Sequence, residues 1–140
     1  IVNGADFTGG FLGGVRFNNR RISAVSFDRT DLSEANFDSS KIFRTSFAEA
    51  YLKNTDFSST KFYNVTFVDA VLKKASFRGA SFFKTRIDGA DIEGADFRGV
   101  SLLNCERFTK AKNWQLALRD ESLICGGVLP DTIEHNEVHN

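Results

Sequence analysis

Every fifth residue of this chain is large and apolar. From Phe7 the series runs without a miss through twenty positions to Leu102. Two residues before each lies a second lattice of small or β-branched side chains, broken only by Arg20. A period of five matches neither the 3.6 of a helix nor the 2 of a strand, so neither element can persist and the chain must turn once per unit. The unit is a short extended segment, whose large and small residues share one face, followed by a corner of polar residues or Gly.

A slower period closes the coil. Stepping by twenty, Phe7, Phe27, Phe47, Phe67 and Ile87 fall in one column, and Leu12, Leu32, Leu52, Leu72 and Ile92 in the next. The third column is Phe17, Phe37, Phe57, Phe77 and Phe97, and the fourth Ile22, Ile42, Phe62, Phe82 and Leu102. Like above like every four units predicts a four-sided coil, with stacked coils about 4.8 Å apart and five of them making a rod roughly 24 Å long. The sequence thus predicts an all-β solenoid of about five coils over residues 1–105. Arg20 is the one charge on the small inward lattice, and burying it unpaired is prohibitive, so a bulge or a side chain turned back to solvent is expected there.

The repeated units ADFTG, TDLSE, ANFDS, TDFSS, ADIEG and ADFRG resemble the pentapeptide-repeat family, whose pattern is A(D/N)LXX. The resemblance spans residues 5 to about 105 and implies a right-handed quadrilateral β-helix; the handedness comes from the resemblance and not from the spacing. Departures at Arg16, Arg21, Lys41, Tyr51, Lys61 and Arg86 replace the usual Asp or Asn at positions that point outward or into turns.

After Leu102 the beat stops. Phe108, Ala111, Trp114 or Gln115 and Leu118 recur at helical spacing, predicting one amphipathic α-helix from about Arg107 to Arg119 within a cap of residues 106–130. The cap is expected to cover the last coil through Leu102, Leu103 and Trp114. Leu129-Pro130-Asp131 resembles the Pro-Asp-Gly ending of bacterial and cyanobacterial members, and residues 131–140 read as a polar tail. At the other end Val2 keeps the phase but nothing precedes it, so a missing segment or a second molecule is expected to cover the first coil. A chain without Met that opens on Ile1 is expected to have lost its initiator, either with a cleaved leader or because the sequence is a piece of a longer one, and any address it carried with it. No apolar run approaches a membrane span, so the chain reads as soluble, with no membrane partner.

Little in the chain can do chemistry. The two His, His135 and His139, stand at helical spacing but have no third ligand, so no metal is expected. No phosphate loop or nucleophile elbow is present, a Phe-filled β-helix leaves no substrate cavity, and the expectation is a non-enzyme with no cofactor. Cys105 continues the small lattice and can be a buried thiol ending that column. Two-cysteine tails also occur in thylakoid-lumen members of the family; a Cys105–Cys125 bridge of that kind would contribute about 3 kcal/mol by loop closure, given an oxidising compartment. Localisation is accordingly open between a plant or cyanobacterial thylakoid lumen and the cytoplasm.

The resemblance implies two classes of role. One is a structural or protein-interaction module; the other is DNA mimicry that binds and protects a topoisomerase, DNA gyrase. Lys and Arg balance Asp and Glu at 18 each over the whole chain, and residues 5–104 carry a small positive excess, the wrong sign for a duplex mimic. The mimic branch also dimerises through a C-terminal apolar end that the cap here occupies.

Charge is polarised around the axis. The units on the Ile22 side contain Arg20, Arg21, Lys41, Arg44, Lys61 and Lys84 and no acid, whereas the Phe7 side holds more acids than bases. The position after the column centre reads Ser23, Phe43, Tyr63, Phe83 and Leu103, an outward ladder. Aromatics flanked by cations compose a contact surface, so Phe43, Tyr63, Phe83, Arg21, Lys41, Arg44, Lys61 and Lys84 are the candidate partner-binding residues, for an acidic protein surface or for self-association. The plainer alternatives are that ring stacking stabilises the sheet, or that the C-terminal segment folds back over it. Nucleic acid is disfavoured, since six cations on a short rod bind it weakly. A monomer, an end-to-end dimer and a side-to-side dimer all remain open.

Overall fold

The structure is a computed structural model and describes residues 1–128. The chain winds into a four-sided β-helix. The side carrying the Ile22 column, here side four, holds five short parallel strands in the order β1 (Val2–Asn3), β2 (Arg21–Ser23), β3 (Lys41–Phe43), β4 (Lys61–Tyr63) and β5 (Ser81–Phe83). Their register steps by twenty, with Ile22 opposite Ile42, Ile42 opposite Phe62 and Phe62 opposite Phe82. Sides one, two and three, which carry the Phe7, Leu12 and Phe17 columns, are tied by parallel bridges such as Asp6 to Ser26, Phe11 to Asp31 and Arg16 to Asn36.

The corners explain the spacing. A residue with positive φ recurs every fifth position from Gly4 to Gly99, for example Asn19, Glu34, Glu49 and Asn64. On sides one to three it sits in a turn closed by a bond back to the column centre, as from Gly10 N–H to Phe7 O at 2.8 Å. The Asp or Asn before the centre accepts from the N–H two residues on, as Asp31 does from Ser33 at 3.0 Å and Asn36 from Asp38 at 2.8 Å. These side chains are turn makers. Side four lacks the closing bond; its strands stay extended for three residues, which turns the residue after the centre outward.

The interior is filled as the columns require. Phe27, Phe37, Phe47, Phe57, Phe67 and Phe77 are fully buried, stacking within columns (Phe37 to Phe57 at 4.9 Å) and meeting edge to face between them (Phe47 to Phe57 at 5.5 Å). Inward hydroxyls are satisfied by carbonyls, either one coil away, as Thr55 Oγ1 donates to Leu32 O at 2.9 Å, or two residues back, as Thr45 Oγ1 donates to Phe43 O at 2.9 Å. The expected disturbance at Arg20 is confined to its side chain, which lies exposed; the backbone keeps its register, and its N–H donates to Ser40 Oγ at 3.0 Å. At the N-terminal end Val2, Phe7, Leu12 and Phe17 are only half-buried.

Beyond Ser101 the structure departs from the expected helix. Only Cys105–Phe108 is α-helical (α1), capped by Asn104 accepting from Arg107 N–H, followed by 3-10 turns at Trp114–Leu116 and Glu121–Leu123. In place of a long helix there is one more, looser coil. Lys112 bridges Asp91 and Leu118 bridges Asp96, both in parallel, and Phe108, Ala111 and Ala117 enter the core. The beat continues with single-residue insertions: Leu103 and Phe108 are five apart, one step out of phase with Leu102. Leu102 therefore does not join its column. It has φ 59° and is 56% exposed, while Leu103 and Trp114 pack partly against the core. The physical reason is an amide ladder that still offers partners at Asp91 and Asp96, which a straight helix would leave unsatisfied.

Arg119 takes the column position above Phe97, and only 1% of it is exposed. Its guanidinium donates to Ala117 O at 2.9 Å, Gln115 O at 3.2 Å and Leu123 O at 2.6 Å, and lies 5.4 Å from the Trp114 ring. Cys105 and Cys125 are joined in a disulfide, so Cys105 does not end its column as a buried free thiol; it is partly exposed. The Pro130 ending, the tail and both His lie outside the described residues.

Candidate protein-interaction face

Side four gathers the predicted residues on one wall, in register. Arg21, Lys41 and Lys61 stand directly above one another, as do Ser23, Phe43, Tyr63 and Phe83. The Phe43 and Tyr63 rings stack at 4.7 Å and 6° and Tyr63 meets Phe83 at 6.1 Å, so the ladder is continuous. Phe43 and Tyr63 are half-buried by this stacking and by Arg21, whose guanidinium sits 4.3 Å from the Phe43 centroid; Phe83 is 41% exposed. Stacking stabilises the sheet, and it also leaves a continuous aromatic strip with cations along its margin.

No ion pair among the described residues neutralises the cations there. Among the described residues the ion pairs join Lys73 to Asp91 and Glu93, Arg78 and Arg98 to Asp96, and Arg86 to Asp88, all on sides one to three. Arg44 reaches only the Ser23 hydroxyl, at 3.3 Å, and Lys84 lies 5.4 Å from the Phe83 ring. Like charges directly opposite on adjacent strands are destabilising. The opposite sides show the converse: burial raises the Asp96 pKa, but hydrogen bonds from Arg98 and the charges of Arg98 and Arg78 outweigh it and hold that carboxyl below its ordinary value. Asp91 is likewise lowered against desolvation, by Asn113, the Glu93 N–H and Lys73.

Sequence reasoning missed Arg107 and Arg119, two cations of the cap that bond to backbone carbonyls, Arg107 to those of the coil beneath and Arg119 to those of the cap itself. Arg107 Nη1 donates to Phe82 O at 3.1 Å and Thr85 O at 2.9 Å, and Nη2 donates to Leu102 O. A charge at an inward beat position, read with a shift of two residues by the Phe97 column, was the available signal for Arg119. No group of His, Cys, Asp and Glu suited to a metal occurs among the described residues, and no helix there is long and apolar enough to cross a membrane.

The fold has solved counterparts. A pentapeptide repeat protein, Rfr23, from the cyanobacterium Cyanothece 51142 superposes with a TM-score of 0.65 at 20% identity, covering 84% of this chain and 88% of that one. A pentapeptide repeat protein from the Arabidopsis thaliana thylakoid lumen gives 0.62 at 24% identity, covering 93% and 91%. These likenesses show the fold, a right-handed quadrilateral β-helix. No match to the chain was found among curated proteins. The model of the pentapeptide repeat region matches residues 20–97, more than half of the sequence and all but the first of the regular coils, and the chain belongs to the pentapeptide-repeat family.

Proposed function

We propose that the protein is a non-catalytic interaction module that holds an acidic surface of a partner protein against side four. The observation that carries the reading is the in-register stack of Arg21, Lys41 and Lys61 beside the Phe43–Tyr63–Phe83 ladder, with no carboxylate pairing those cations among the described residues. An arrangement that costs stability and concentrates one sign of charge beside exposed rings suits recognition, with cations steering the encounter and rings supplying desolvated contact area. The disulfide supports a site of action in an oxidising compartment, such as the lumen named for the Arabidopsis structure. DNA mimicry is the weaker reading, because the rod's one strongly charged side is basic.

The test is partner capture from extracts with two variants, the triple change Phe43→Ser, Tyr63→Ser, Phe83→Ser and the pair Lys41→Glu, Lys61→Glu. Loss of the same partner with both, while each variant stays folded at the assay temperature, supports the reading. Capture indifferent to both sets ends it.

A further inference from the structure

Four corner N–H groups end the fifth coil, one per side, and three of them are covered. Gly89 N–H donates to Lys110 O at 2.9 Å, Gly94 N–H to Leu116 O at 3.0 Å, and Gly99 N–H to the Asp120 carboxylate at 2.6 Å. The fourth belongs to Lys84, on side four. Lower on that side the rung recurs, from Gly4 to Ser23 O, Ala24 to Phe43 O, Arg44 to Tyr63 O and Asn64 to Phe83 O, at 2.9–3.1 Å. At Lys84 it stops, with no acceptor among the described residues. The cause is the phase shift: Leu102 at φ 59° swings the chain off the lattice and carries Leu103 inward. The Arg107 guanidinium occupies the two exposed acceptors of this edge, Phe82 O and Thr85 O. What is left facing out is a donor.

Beside that donor an open groove of about 600 Å³ is lined by Phe83, Lys84, Leu102, Leu103, Asn104 and Arg107. It lies where the next ring of the aromatic ladder would stack on Phe83. Leu102 is the one large aliphatic side chain among the described non-glycine residues with positive φ, and it is mostly exposed. Positive φ is costly for a Leu, and here it leaves the apolar side chain in solvent beside the groove.

We propose that this end of side four docks an extended acidic segment of a separate protein, which adds one rung above β5. A carbonyl of the segment accepts from Lys84 N–H, an apolar side chain packs on Phe83 and Leu102, and flanking carboxylates face Lys84 and the stacked cations. The inference rests on the reading of side four as the contact face and adds where, and by what chemistry, the partner is held. A donor-only edge set among cations favours a segment that brings acceptors and negative charge over a basic strand or a second copy's equally basic side four.

The probe is a displayed library of random heptapeptides selected on the immobilised 140-residue chain. Enrichment of acidic peptides bearing a single aromatic or aliphatic residue is expected. Leu102→Asn and Lys84→Glu should each weaken the selected peptides about tenfold, as loss of a central contact does. Asn is at ease at positive φ, so the first of these variants keeps the fold. In the complex the Lys84 amide should exchange more slowly by NMR, a change that side-chain contact alone would not produce. No enrichment, or an unaltered Lys84 amide, overturns the proposal. Peptides lost with Phe43→Ser and Lys61→Glu but indifferent to Leu102→Asn overturn the rung and leave side four standing; peptides indifferent to all four remove both. A Lys84 amide protected in the free chain and released by ending the chain at Val128, or protected only at high protein concentration, assigns the edge to the chain's own tail or to a second copy and overturns it as well.

Discussion

Phe57 and Phe43 are the same residue type in neighbouring coils with opposite duties. Phe57 is fully buried between Phe37 and Phe77, at ring distances of 4.9 and 5.2 Å, whereas Phe43 is only half-covered by Tyr63 and Arg21. Phe57→Ala should therefore cost about 3–5 kcal/mol through lost transfer energy and a cavity, and Phe43→Ala about 1 kcal/mol through lost stacking. Chemical denaturation of the two variants checks this, and equal losses would refute the division between inside and outside. Asp96 is the residue to watch in acid. Its folded pKa lies below the ordinary 3.8, so ionisation stabilises the fold above that value, and the contribution disappears as pH falls from 3.8 through the folded pKa. Melting temperature should drop in this window, and in Asp96→Asn the drop should be smaller. An identical acid profile would remove Asp96 from the account.

At the scale of elements, the coils and the cap are stabilised by different means. Coils share columns of rings and an amide ladder; the cap has few rings of its own and relies on Arg119 and the disulfide. Loop closure by the bridge, over a sequence separation of 20 residues, contributes about 3 kcal/mol in the chain-entropy picture. Arg119 satisfies carbonyls that no further coil covers among the described residues, so Arg119→Ala should cost about 3 kcal/mol or more, and Arg119→Lys should recover little because an ammonium cannot span the same fork. Thermal melts and proteolysis of the C-terminal segment read both. The helix expected from Phe108, Ala111, Trp114 and Leu118 shows why this element was hard to read. Two inserted residues made a period of five imitate one near 3.6, and only the unsatisfied amides of the coil beneath decide between them.

For the whole molecule the polarised charge sets stability against the recognition proposed for side four. Lys61 stands between Lys41 and Ser81 on adjacent strands, so Lys61→Glu replaces a like-charge neighbour with an attractive one and should stabilise the rod by roughly 0.5 kcal/mol at low salt while weakening partner capture. A melt unchanged or lowered at low ionic strength would count against the electrostatic frustration of side four. The twenty apolar positions, the coil of twenty residues, the basic side and the outward aromatic ladder were all legible in the sequence, because a solenoid's contacts lie at constant separations that a periodic pattern records directly. The sixth coil, the buried Arg119, the withdrawal of Leu102 and the Lys84 edge left without an acceptor among the described residues were decided by tertiary structure. They arise where the period breaks, and there each residue's place depends on which amides, rings and carbonyls of the coil beneath remain to be covered.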